Sequence, residues 1–155
     1  MLIVSDDGRQ SQRALAIQRG AARALRALGF GVLPEIPLGN GRRADLVALN
    51  EAGTILIVEI KSCLEDFRSD QKWPEYRDFC DRLYFAVAPD FPLEALPEDA
   101  GLFIADRYGG ELVREAPSHV LAAARRKAML IGLARYGALR WQLAADPECA
   151  DCFER

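Results

Sequence analysis

Apolar residues recur at Ile17, Ala21, Ala24, Leu25 and Leu28, the three-and-four spacing of one helix face. The spacing predicts a helix over Ser11–Leu28, with Arg19, Arg23 and Arg26 on the opposite side and Gly29 as its stop. The pattern then becomes that of strands. "FGVLPEIPL" reads as an edge strand, because Pro34 and Pro37 have no N–H to give to a ladder. After the turn "GNGRR", the runs "RADLVAL" and "TILIVEIK" read as two strands closed into a hairpin by "NEAG". "SCLEDFRSDQKWPEYRDFC" returns to helical spacing, burying Leu64 and Phe67 and then Tyr76, Phe79 and Cys80, with Pro74 dividing it. "RLYFAVAP" is a buried strand reached by a helical crossover, which makes it parallel to the strand Ile55–Lys61. "GLFIADR" and "ELVREA" form a second hairpin around "YGG", and a long helix over Ser118–Leu143 closes the pattern. The expected architecture is α/β: a mixed central sheet flanked by helices, as one domain over residues 1–145, followed by a flexible tail, 146–155.

Length and composition fit one globular domain: 155 residues, half of them hydrophobic and 28% charged. No apolar run approaches the roughly 20 residues that cross a bilayer, and "MLIVSDDGRQ" lacks the basic start of a secretory signal. The reading is a cytoplasmic protein with reduced cysteines and no membrane partner. Net charge is −3, yet its distribution is uneven. Arg13, Arg19, Arg23 and Arg26 in the first helix and Arg125, Arg126, Lys127, Arg135 and Arg140 in the last have no acidic residue among them. Such helices present either a surface for a polyanion or two solvated faces.

Candidate chemistry centres on "ILIVEIKS". Glu59 and Lys61 lie two apart and so share one face of an otherwise apolar strand, where an unpaired charge costs several kcal/mol. If "NEAG" closes the hairpin with cross-strand residue numbers summing to about 103, Asp45 lies beside Val58 and within one residue of Glu59. A simple ion pair of Lys61 with Glu59 or Asp45, or an exposed hairpin end, would account for the charges. A divalent cation between the two carboxylates would account for them as well, and Mg²⁺ binds through one or two carboxylates completed by phosphate oxygens and water. Only three of the twenty basic residues are lysines, Lys61, Lys72 and Lys127. A compact ammonium at Lys61 thus suits a task that a planar guanidinium does not.

Other chemistries lack parts. The sole histidine, His119, lies just before the last helix, so a multi-histidine metal centre or a Ser-His-Asp arrangement lacks parts. Cys149 and Cys152 would need both Cys63 and Cys80 to close a zinc site, and no phosphate-binding G-x-x-x-x-G-K-[ST] loop is present.

Asp45 followed by Glu59-x-Lys61 on two adjacent strands resembles the signature of the PD-(D/E)xK nuclease superfamily. The longer runs "EIKSCLEDFRSDQKWPEYRDFCDRLYFAV", "LPEIPLGNGRRADLVAL" and "REAPSHVLAAARRKA" resemble the MmcB-like DNA repair family, over roughly Arg19 to Arg140. The resemblance implies a restriction-endonuclease-like αβββαβ core and a Mg²⁺- or Mn²⁺-dependent DNA nuclease acting in repair. Asp45 and Glu59 would be metal ligands, the backbone carbonyl of Ile60 another, and Lys61 the catalytic lysine. Many superfamily members add an acid from the first helix. Here that helix has none, so Glu35 is the nearest substitute and Gln18 a weaker one. Gln71 and Lys72 are candidates for contacting the scissile phosphate or a second water, or else face solvent. Asp66 and Asp70 line the site or steer Arg68, or are ordinary helix-surface residues. Trp73 and Tyr76 read as core packing against the sheet rather than as base-stacking platforms. Arg42, Arg43, Arg19 and Arg23 are candidates for holding the DNA backbone. The missing acid also leaves open a nuclease fold without chemistry that binds DNA or a partner, and an RNA-processing nuclease would share the same site. A homodimer or other repair proteins are the implied protein partners.

Overall fold

A computed structural model describes residues 11–152. The stretch read for a targeting signal and the last three residues of the tail lie outside them. Helix α1, Gln12–Ala27, starts at Ser11, whose hydroxyl accepts the Ala14 N–H at 3.1 Å and satisfies one of the donors that a helix start leaves free. Ile17, Ala21 and Leu25 are buried on the sheet as their spacing predicts. Leu28 is not: it is the C-cap residue, where the chain turns away into Gly29 at φ +91°, and it stays 53% exposed.

Three antiparallel strands follow, β1 (Gly31–Pro37), β2 (Arg43–Leu49) and β3 (Ile55–Lys61). The predicted crossover is a short helix α2, Leu64–Ser69, and a 3-10 helix over Trp73–Phe79 with Pro74 in its first turn. Between them Asp70 has extended backbone. Strand β4, Arg82–Val87, runs parallel to β3 as the crossover requires, and β5, Gly101–Ala105, runs parallel to β4. Strand β6, Gly110–Arg114, pairs antiparallel with β5 as the second predicted hairpin. The sheet is mixed, six-stranded and in chain order from β1 to β6, so the proline-bearing β1 is an edge.

Helix α3 runs Ala123–Ala145, not from Ser118. The segment before it is committed to tertiary partners: the His119 N–H donates to the Asp81 carbonyl at 2.7 Å, and Leu121 is buried against the sheet. A 3-10 helix over Pro147–Cys152 takes up the described part of the predicted tail.

Helix α1 covers one face of the sheet, over Leu46, Val58, Tyr84 and Phe103. Helix α3 and the 3-10 helix cover the other, over Val47, Ile57 and Leu83. A third cluster, around Phe85, lies under α2 and Trp73, where the Phe67 and Trp73 rings meet Phe85 edge-on at 5.5 and 5.3 Å. Trp73, Tyr76, Phe79 and Cys80 pack as read from the sequence.

Several of the helix arginines serve as braces. Arg126 holds Asp81 at 2.5 Å and the Gly53 carbonyl at 2.9 Å, while Asp81 accepts the Ile55 N–H at 2.8 Å. One ion pair thereby ties α3 to the β2–β3 turn and to the starts of β3 and β4. Arg140 donates to the carbonyls of Pro34 and Glu35 and so covers part of the β1 edge.

Gly20 faces the β5–β6 turn across α1. A Cβ there would lie 1.9 Å from the Asp106 carbonyl oxygen and 2.4 Å from that of Gly109, both rigid backbone atoms. Gly20→Ala is expected to cost at least about 1–3 kcal/mol through overpacking. Gly132→Ala, with nothing within 4 Å of the new methyl group, is the control and is expected to be neutral or mildly stabilising. Thermal denaturation of the two variants checks this, and equal midpoints would contradict the packing described.

Candidate metal and nucleic-acid site

The β2–β3 ladder pairs Leu46 with Val58, one residue out from the register expected from the turn, which sets Asp45 opposite Glu59. Backbone pairing stops there and side chains take it over. The Asp45 carboxylate accepts the Ile60 N–H at 2.8 Å, and the Glu59 carboxylate accepts the Asp45 N–H at 3.1 Å. Strand β2 also changes face at this point: Ala44 joins the α3-side cluster, whereas Leu46, two residues on, joins the α1-side cluster. Simple alternation would keep them together.

The cleft at this end of the sheet encloses about 420 Å³ and is walled by Asp45, Glu59, Ile60, Lys61, Asp66 and Tyr76, with Arg43 and the first turn of α1 at its border. Glu59 and Lys61 are 3% and 4% exposed. Burial, and then the neighbouring Asp45 charge, push the Glu59 carboxyl well above its ordinary range. Burial likewise raises Asp45, against the Ile60 hydrogen bond and the Lys61 charge. Two carboxylates set this close disfavour each other's ionisation. Tyr76 donates its hydroxyl to the Arg43 carbonyl at 3.2 Å, and burial followed by the Glu59 and Asp45 charges raises its pKa.

Lys61 is bound to neither strand carboxylate. Its ammonium pairs with Asp70 at 2.6 Å, so both ion pairs considered from the sequence give way to a third. Burial pushes Asp70 up, but the Lys61 hydrogen bond and charge prevail and hold it below the usual carboxylate range. Asp66 accepts the Ser62 N–H at 3.1 Å and lines the cleft, and neither aspartate pairs with Arg68. Asp70 is the participant that sequence reading underrated. Its signal was the need of a buried Lys61 for a counter-charge from the next element.

The other candidates separate. The flanking pairs Pro34–Leu46 and Ile36–Ala44 place Glu35 across from Asp45, yet its φ is +52°. Its carboxylate lies 3.6 Å from Arg43, with a side chain only 13% exposed, and it does not line the cleft. Arg42 pairs with Glu75 at 2.6 Å. Gln71 donates to the Arg68 carbonyl at 2.7 Å and is exposed, as is Lys72. Arg23 donates to the Arg107 and Tyr108 carbonyls, and Arg19 and Gln18 line a separate groove of about 620 Å³ along α1. Of the four arginines, only Arg43 reaches the cleft.

The protein is thus an α/β molecule whose mixed sheet carries a buried and a half-buried carboxylate and a buried lysine at the open end of its central hairpin. Residues 3–148 match the family described as DNA repair protein MmcB-like, and the chain belongs to that family. It is also similar to a solved structure, the SPO1766 protein of unknown function from Silicibacter pomeroyi. The two share 43% identity and a TM-score of 0.88, over 94% of this chain and 99% of that one. No curated protein matches the chain significantly. Among the described residues no helix is long and apolar enough to cross a membrane.

The raised Glu59 pKa fixes a sign. The folded state holds a proton that the unfolded chain would release, so this stability is present at low pH and is lost as pH rises through the raised value. Glu59→Gln keeps an oxygen for the Asp45 N–H and removes the charge. In chelator it is expected to stabilise the fold at neutral pH by on the order of 1–3 kcal/mol and to flatten its pH dependence. Denaturant titrations of both proteins across pH measure this, and a destabilised Glu59→Gln with unchanged pH dependence would refute it.

Proposed function

We propose that the protein is a Mg²⁺- or Mn²⁺-dependent DNA nuclease of the PD-(D/E)xK type acting in DNA repair. The observation that carries this reading is the pair of carboxylates on adjacent strands, a buried Glu59 and a half-buried Asp45 set side by side although they repel, in one cleft with Lys61. Each gives one oxygen to a backbone N–H, and the two carboxyls lie within hydrogen-bonding reach of each other, a contact that a cation between them would replace. Among the described residues no three His, Cys, Asp or Glu side chains form a metal-binding cluster. The donor set is therefore two carboxylates, with the Ile60 carbonyl as a further candidate, to be completed by water and phosphate oxygens. That is sparse for zinc and fits Mg²⁺. When bound, such an ion supplies an acidified water and neutralises charge on a phosphate. Lys61 places an ammonium on the same wall, where it stabilises charge developing on the phosphodiester. Arg43 holds the nucleic-acid backbone at the border, an interaction that weakens with salt.

A second reading, a DNA-binding or partner-binding module that keeps the fold without the chemistry, draws on two observations. Helix α1 contributes no acid, and Lys61 is already engaged by Asp70. Labelled single-stranded, duplex, flapped, branched and cross-linked DNAs, incubated with Mg²⁺, Mn²⁺ or chelator, separate the two. The nuclease reading expects metal-dependent cutting by the parent, reduced at least about 100-fold in Asp45→Ala and Lys61→Ala. Binding without cutting by the parent supports the module. Cutting retained in both variants places the chemistry elsewhere.

A further inference from the structure

Three carboxylates compete for one buried ammonium. Asp45 and Glu59 both feel the Lys61 charge, and Asp70 holds it at 2.6 Å. An ammonium settled between Asp45 and Glu59 would neutralise them and fill the position that a cation needs. What draws Lys61 aside is an aspartate at the C-terminal end of α2, braced through its second oxygen by the Lys72 N–H at 3.0 Å. The arrangement depends on the break between α2 and the 3-10 helix, because only the extended backbone there turns the Asp70 carboxylate back over the end of β3.

From this geometry we infer that Asp70 is a positioning residue, which holds Lys61 off the Asp45–Glu59 pair and so keeps that pair open to a divalent cation. The inference rests on the cation-site reading above and adds a role that the two strands do not contain. Asp70 acts through Lys61 and touches neither ion nor substrate. Removing it lets the ammonium fall back onto Glu59 and Asp45, where it competes with the ion.

The test is Mn²⁺ affinity, measured by calorimetry on the full chain for the parent, Asp70→Asn, Lys61→Gln and the double variant. Asp70→Asn is expected to lose at least about tenfold in affinity, the scale of outer-sphere substitutions at metal sites. The double variant is expected to recover it, because the competitor is gone. A loss that persists without Lys61 makes Asp70 a ligand or a structural residue and overturns the inference, as does unchanged affinity in Asp70→Asn. If the parent binds no Mn²⁺, the cation-site reading fails, and a second measurement still decides the role of Asp70. With only three lysines in the chain, the side-chain resonance of Lys61 in protein carrying ¹³C,¹⁵N-labelled lysine is assignable by substitution. It should shift in Asp70→Asn and shift again when Glu59→Gln is added, whereas Glu59→Gln alone moves it little. Absence of the second shift shows that Lys61 does not fall back onto Glu59 and overturns the inference.

Discussion

Two side chains do work at the centre of this protein that elsewhere belongs to the backbone. Where the β2–β3 ladder ends, Asp45 and Glu59 each take a backbone N–H of the facing strand, so the strands stay joined while their backbones part. Buried N–H groups must find acceptors, and here the acceptors are carboxylates. The clasp therefore fixes two acids beside each other, Glu59 buried and Asp45 half-buried at the cleft. The face change of β2 falls at the same point, and burial there raises both carboxyls and the tyrosine packed below even though the clasp hydrogen bonds pull the carboxyls down.

Around this pair the crossover is divided so that its parts have separate tasks. Helix α2 brings Asp66 to the cleft wall, the extended break brings Asp70 to Lys61, and the 3-10 helix brings Tyr76 beneath β2. A continuous helix through Pro74 would lose a backbone hydrogen bond and could not turn these groups toward one point. The irregularity supplies the site, while the regular strands beside it supply the rigidity.

The arginines show how little a charge count says about surfaces. Arg126 and Arg140 on α3, and Arg23 on α1, end on protein carbonyls or a carboxylate and brace loops and an edge strand. Guanidinium groups suit that use because one planar fork reaches several acceptors. Membership of a DNA repair family consequently rests on the chain as a whole, and of the four arginines singled out from the sequence only Arg43 lines the cleft.

The sequence by itself determined the order of elements, the edge position of the proline-bearing β1, the parallel placement of β4 and the meeting of Asp45, Glu59 and Lys61 at one end of a hairpin. Each depends on local signals, namely apolar period, missing proline donors, crossover length and a short turn. Tertiary structure decided what no local signal carries. The register lies one residue from the expected one because the turn closes through the Asn50 N–H on the Thr54 carbonyl with Gly53 at positive φ, and the same pairing runs from Leu49–Ile55 to Leu46–Val58. Glu35 faced Asp45 in register yet turned to Arg43 through a positive φ that side-chain alternation does not foresee. The last helix began late because His119 is tied to Asp81, just before β4, and Leu121 is buried against the sheet. Lys61 found its partner nine residues on, in Asp70, because a buried ammonium takes the carboxylate that can reach it and that other donors hold in place.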